Sequence, residues 1–273
     1  MYRHVVVPLD GSERAKVAMG PAADLAWRCD ADLVVVHSVD VLDEPLPEAT
    51  LRERAESLGL DEVEVVIDDR RPAAEAVAAV VDARGDAVVC MSTHGHGATE
   101  RVVGTVAEAV LRRTAAPALL VGPRYEGGHR LGAGPVIACI DGSRLSEAVV
   151  PLAARWATLV DAGLWVVSVV DPAGVAAAAR AAPGGDLDEA SHVHRMADAA
   201  RPIVEGRVDW EVLHGRHPAA ELLEFAEHHP GALLAVATHG RSGLSRVAMG
   251  SVAMSVVHGA RGPVLVTRVS EDG

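Results

Sequence analysis

Short apolar runs alternate along this chain with longer stretches in which apolar residues return every three or four positions. Runs such as VVVPLD, LVVVHSVD and LWVVSVVD lack a strict polar alternation, which marks strands buried on both faces rather than on one. Strands are expected near 3–9, 32–39, 62–67, 86–92 and 117–122, then near 135–140, 163–170, 207–213, 231–237 and 263–269. Amphipathic segments near 12–28, 46–59, 72–84 and 102–114 separate the first five, and helical segments separate the second five. Ser12 and Ser143 are suited to cap the helices they precede, and Pro72 and Pro218 to open theirs. Regular alternation of strand and helix predicts α/β architecture with parallel, doubly wound sheets and right-handed crossovers.

The pattern is a duplication. Asp10-Gly11-Ser12 returns as Asp141-Gly142-Ser143, and the run from Leu33 to Asp40 returns from Leu164 to Asp171, both offset by 131 residues. Pro72, Gly104 and Pro117 return as Pro218, Gly250 and Pro263, offset by 146. Fifteen residues are therefore inserted in the second copy, after its second strand. Each copy is long enough to enclose its own core, so two five-stranded domains are expected, 1–123 and 134–273. The stretch 122–134 has the glycine content of a linker. The runs PALLV and PVLV end the two copies as apolar edges, and the two are expected to pair.

Ligands of open α/β sheets sit beyond the carboxyl ends of the strands. Two features fall there in each copy: Asp-Gly-Ser after the first strand, and Thr-His-Gly after the fourth, leading through a glycine-rich loop into a helix. In the second copy that loop runs from Gly240 through Arg241 and Gly243 to Gly250, Ser251 and Val252. Glycines let backbone N–H groups approach phosphate oxygens, and the following helix adds its positive end. Ser251 or Thr105 supplies a hydroxyl, and Asp141 or Asp10 could accept from ribose hydroxyls. Glycine spacing alone does not separate this reading from ordinary turns and caps.

Together, Asp-Gly-Ser after the first strand and THGRSG, then Gly-Ser, before a terminal PVLV resemble the universal stress protein family, over about 1–123 and 134–270. The resemblance implies an adenine-nucleotide α-hydrolase-like fold, ATP or AMP as ligand with Mg2+ beside the phosphates, a homodimeric or pseudo-dimeric assembly, and a stress-response role. Its ATP-binding branch carries G-x2-G-x9-G-[S/T]. Here that falls on Ala237, Gly240, Gly250 and Ser251, and on Ser92, Gly95, Gly104 and Thr105 with one residue fewer in the loop. Both copies thus replace the first glycine, and the second keeps the pattern better. The implied site of copy two comprises Cys139, Ile140, Asp141, Val169, Val236, Ala237, Gly240, Arg241, Gly243, Gly250, Ser251 and Val252. That of copy one comprises Pro8, Leu9, Asp10, Ser38, Met91, Ser92, Gly95, Gly97, Gly104, Thr105 and Val106. Asp69 stands in copy one where copy two has Gly215, and a carboxylate bordering phosphates would repel them.

Composition narrows the field. A net charge of −13 without a basic cluster argues against nucleic acid as partner. The apolar stretch after Leu164 is broken by Asp171 and Pro172, so no membrane span is expected. Cys29, Cys90 and Cys139, odd in number and without CxxC spacing, point to free thiols in a reducing cytoplasm. The thirteen histidines show neither i,i+4 helical spacing nor CxxC partners, so no metal site is expected. The serines lack a G-x-S-x-G elbow, so catalytic residues are not assigned, although slow ATP hydrolysis stays open. The tryptophans, in helix and strand patterns, read as packing residues. The expected function is an ATP- or AMP-binding stress-response regulator acting through nucleotide-dependent assembly. The alternatives are a nucleotide-free dimerisation module and an adenine-nucleotide hydrolase-type enzyme.

Overall fold

The computed structural model describes residues 2–38, 47–56, 63–93, 104–172, 189–238 and 249–268. By its contacts the chain divides into two compact units. Unit 1 comprises Met1–Leu131 and Ala260–Arg268, and unit 2 is built on Gly132–Gly259.

In unit 1 the strands β1 (His4–Pro8), β2 (Asp32–Ser38), β3 (Val63–Asp68), β4 (Ala87–Ser92) and β5 (Ala118–Val121) are parallel and run in the order β3-β2-β1-β4-β5. Val5, Val6 and Val7 at the centre are fully buried, as an unalternating valine run requires. The helices are α1 (Glu13–Lys16), α2 (Met19–Cys29), α3 (Glu48–Glu56), α4 (Ala73–Arg84) and α5 (Thr105–Arg113). Beyond β5 the sheet gains β10 (Val264–Thr267), the last strand of the second repeat, which pairs antiparallel with Val264 opposite Leu120 and Val266 opposite Ala118. This is the pairing expected of the PALLV and PVLV edges; periodicity carries no strand direction, so its antiparallel sense is not part of that expectation.

Unit 2 carries β6 (Val136–Ile140), β7 (Leu164–Val170), β8 (Val208–His214) and β9 (Leu233–Ala237), parallel and in the order β9-β6-β7-β8. Its helices are α6 (Arg144–Glu147), α7 (Val149–Leu159), α8 (Glu189–Ala200), α9 (Pro218–Glu227) and α10 (Ser251–Gly259). Trp156, 1% exposed, anchors α7 in the core. Trp165 packs edge-on against Phe225 of α9 with centroids 5.3 Å apart.

The first helix of each repeat is broken where the sequence suggests one continuous segment. A helix through 12–28 would need an N–H at Pro21, and Pro21 has none. The chain instead restarts, placing Pro21 third in α2 and Pro151 third in α7, where no intrahelical donor is required. Ser12 and Ser143 cap α1 and α6 by accepting from the N–H groups of Ala15 and Ser146.

Two further expectations change. Trp27 is 79% exposed, because the buried face of α2 is Met19, Ala22, Leu25, Ala26 and Cys29, and position 27 turns away from it. The stretch after Gly122 is no loose tether either. Leu131 is fully buried, and its N–H donates to Asp24 Oδ2 at 2.6 Å. Glu126 pairs with Arg261 at 3.1 Å, and the His129 ring packs on Gly262. Glycine content reports flexibility of the unfolded chain, not what the neighbouring apolar residues do. All three cysteines are free and buried. Among the described residues, no helix is long and apolar enough to cross a membrane.

Candidate functional site

In unit 2 the chain leaves β6 for β7 and β8 on one side, then returns to β9 on the other. The order reverses between β6 and β9, and a crevice must open at their carboxyl ends. A cavity of about 360 Å3 lies there, within the range that holds small ligands. One wall is apolar: Cys139 and Ile140 end β6, Val169 is near the end of β7, Val236 and Ala237 end β9, and Pro218 and Leu222 come from α9. The other wall is polar, with Asp141, Ser146, Asp171, Thr238 and the first turn of α10 from Gly250 to Ala253.

The Asp-Gly-Ser sequence fixes the carboxylate. Asp141 Oδ1 accepts from Ser143 N at 3.0 Å and from Ser143 Oγ at 2.6 Å, while Asp141 N donates to Ser146 Oγ at 3.0 Å. The tight turn needs a positive φ, 77° at Gly142, which glycine adopts without penalty. Opposite, Gly250 N donates to Thr238 O at 2.6 Å and so docks the start of α10 onto the end of β9. Met254 N to Gly250 O is the first bond of that helix. The N–H groups of Ser251, Val252 and Ala253 therefore precede the intrahelical ladder, and together with the helix dipole they favour an anion. Burial pushes the Cys139 thiol up to about 12, so it lines the wall as a neutral, small apolar group. The arrangement offers an apolar slot for a flat base, an oriented carboxylate acceptor and a helix end for phosphate. Among the described residues, no group of three or more metal-ligating side chains forms.

Unit 1 repeats the frame. Asp10 Oδ1 accepts from Ser12 N at 2.9 Å and Ser12 Oγ at 2.6 Å, and Gly104 N donates to Thr93 O at 2.7 Å. A Cβ on Gly104 would stand 2.9 Å from Thr93 O, so this close approach excludes any other residue without movement. Pro8 and Leu9 end or follow β1, Met91 and Ser92 end β4, and Thr105 and Val106 open α5. The rim differs. Ser38 Oγ donates to Arg71 O at 2.8 Å, and Arg71 Nε lies 2.7 Å from Asp68 Oδ2. Burial works to raise the Asp68 carboxyl, but the Arg70 and Arg71 N–H groups and the Arg71 guanidinium hold it below its ordinary range. Asp69, expected to repel phosphates, is 78% exposed and lies 3.7 Å from Arg70 Nε. Solvent and the neighbouring Arg70 weaken the repulsion expected of that charge.

The unit 2 cavity thus brings together Cys139, Ile140, Asp141, Val169, Val236, Ala237, Gly250, Ser251 and Val252 from the sequence reading. Gly240, Arg241 and Gly243, like Gly95 and Gly97 of the first copy, lie outside the described residues. Sequence reasoning missed Ser146, Asp171, Pro218, Leu222, Thr238 and Ala253. The matched Asp40 and Asp171 of the two repeats were the available signal for one of them.

Set against known proteins, residues 1–122 and 133–268 match the model of the universal stress protein family. A universal stress protein of Mycobacterium tuberculosis is 28% identical over 309 aligned positions covering 97% of each chain. One of Methanocaldococcus jannaschii is 42% identical over 62 residues, 23% of this chain and 36% of that protein. Among solved structures, a universal stress protein from Archaeoglobus fulgidus superposes with a TM-score of 0.66 at 15% identity, covering 98% of this chain and 99% of its own. A Pseudomonas aeruginosa protein of unknown function gives 0.68 at 17% identity, covering 98% and 92%. At such identities these structures speak to the fold.

Proposed function

The chain belongs to the universal stress protein family, and on that premise we propose that it is a stress-response regulator whose second unit binds an adenine nucleotide, ATP or AMP. Binding would act through the assembly state of a homodimer. The observation that carries the reading is the unit 2 cavity, where an apolar slot, an oriented Asp141 carboxylate and the start of α10 converge on one crevice. The base would lie against Val169, Val236 and Leu222, the ribose hydroxyls would donate to Asp141, and a phosphate would meet the N–H groups of Ser251 and Val252. The second reading, a nucleotide-free dimerisation module, draws on Ala237 and Ser92 standing where the nucleotide-binding pattern has glycine.

Titration of the purified chain with a fluorescent ATP analogue, displaced by unlabelled ATP and AMP, separates these readings. Saturable, displaceable binding and a mass shift in light scattering on adding nucleotide are expected. Absence of saturable binding leaves the dimerisation module.

A further inference from the structure

Two walls of the unit 2 cavity are braced from behind by one helix face. The helix is α8, which follows the fifteen-residue insertion and is seated in the core by Val193, Ala197 and Ala200. Glu189 and His192 stand one helical turn apart at its start, so they share a face. Glu189 reaches β7: the hydroxyl of buried Ser168 donates to its Oε1 at 2.8 Å, one residue before the cavity-lining Val169. His192 reaches α6: its Nε2 is shut off from solvent and lies 3.1 Å from Glu147 Oε1. On the other side of the same ring, Arg195 Nη2 lies 3.5 Å from Nδ1. The start of α8 thus holds both the strand that carries Val169 and the helix that follows the Asp141 turn.

α6 has only 4 residues, too few to hold itself by its own ladder, so its place is set by what it is tied to. Inwardly it is tied to the ligand-facing turn. Ser146 Oγ accepts from Asp141 N at 3.0 Å and donates to Ser143 O at 2.9 Å, and Glu147 N donates to Ser143 O at 3.0 Å. Residues 141–147 therefore move together, with Glu147 as their outer end. Resting on the adenine-nucleotide reading above, we propose that His192 is a positioning residue for the nucleotide: through Glu147 it holds the Asp141 turn in place, which makes α8 a handle on the affinity of unit 2. The matching positions of unit 1 carry neither partner. Lys16 stands in place of Glu147 and pairs within its own helix with Glu13, and the offset of 146 puts Leu46 in place of His192. An acceptor aimed at a ligand depends on such supporting contacts, because a displacement of about 0.5 Å already loosens the site.

The test is calorimetric titration of the full chain with AMP, using H192A, E147Q, the double variant H192A/E147Q and H192K. Alanine suits a helix and glutamine keeps the shape of glutamate, so far-ultraviolet circular dichroism should match the wild type in each. H192A and E147Q are each expected to weaken AMP binding roughly threefold to tenfold, and the double variant to bind within about twofold of the weaker single one. H192K, which keeps a cation facing Glu147, should stay within about twofold of the wild type. A merely structural role would not make the two losses overlap in affinity or let lysine restore it. Wild-type affinity in both single variants, losses that simply add, or H192K as weak as H192A overturns the positioning role while leaving the nucleotide site intact. Failure of AMP to bind the wild-type chain removes the site's reading and the positioning role together.

Discussion

Replacing Leu131 by alanine tests whether the segment joining the repeats is a strap or a tether. Leu131 is fully buried in unit 1, and its N–H is held by Asp24 Oδ2 at 2.6 Å. Asp24 is itself fixed by Arg28 Nε at 3.2 Å from Oδ1. Deleting the buried side chain should cost about 2–5 kcal/mol through lost transfer energy and the cavity left behind. Replacing Asp24 by alanine strands the Leu131 N–H and should cost about 1–3 kcal/mol. Because both substitutions loosen one segment, the double variant should fall short of their sum by about 0.5 kcal/mol or more. Urea unfolding followed by far-ultraviolet circular dichroism reads the effect. At a slope of about 2 kcal/mol per molar, a loss of 3 kcal/mol moves the unit 1 midpoint down by about 1.5 M. Amide exchange across 122–131 should quicken in step. A flexible linker would lose almost nothing on shortening one side chain, so a change in L131A below about 0.5 kcal/mol refutes the strap.

Two more outcomes follow from the geometry. S143A removes the cap of α6 and the hydroxyl donor to Asp141 Oδ1 while keeping the backbone one, so it should cost about 1 kcal/mol in stability and also weaken nucleotide binding, where the equivalent S12A costs only stability. For pH, burial holds the His129 imidazole below its ordinary value, with Asp24 opposing. The unfolded chain then binds the proton more readily, so stability is full above about pH 6.5 and falls as pH drops from there through the lower folded value. H129Q should flatten that part of the curve. Asp68, held low, contributes stability above about pH 3.9 that vanishes below it, and D68N should remove this second limb in acid unfolding curves.

What the sequence made legible and what it hid divide along physical lines. The valine runs placed all ten strands within about two residues, because burial on both faces leaves no polar position to confuse the pattern. The Asp-Gly-Ser turns were equally readable, since a short side chain capping a helix and a glycine at positive φ need no distant partner. Long-range features were not. The pairing of the two terminal edges was legible, but that β10 would lie antiparallel on β5 depends on tertiary docking of residues 144 to 148 apart in sequence, and the burial of Leu131 depends on a carboxylate of α2. Asp171 and Leu222 escaped notice for the same reason: their role is only visible once β7 and α9 meet over one crevice. The repulsion expected of Asp69 was argued from its sequence neighbours, whereas its exposure and its approach to Arg70 become visible only in the fold.

The central claim, that the second unit holds the nucleotide site, is tested most directly by placing one charge at the start of α10 and, separately, at the start of α5. Ser251 and Thr105 are the first residues of those helices and both are exposed, so an aspartate there favours the helix end and leaves the fold intact. It also sets a negative charge where a phosphate would sit. Calorimetric titration with AMP should show about one site per chain in the wild type and in T105D, and a loss of affinity of about tenfold or more in S251D. Binding retained in S251D and lost in T105D would contradict the account.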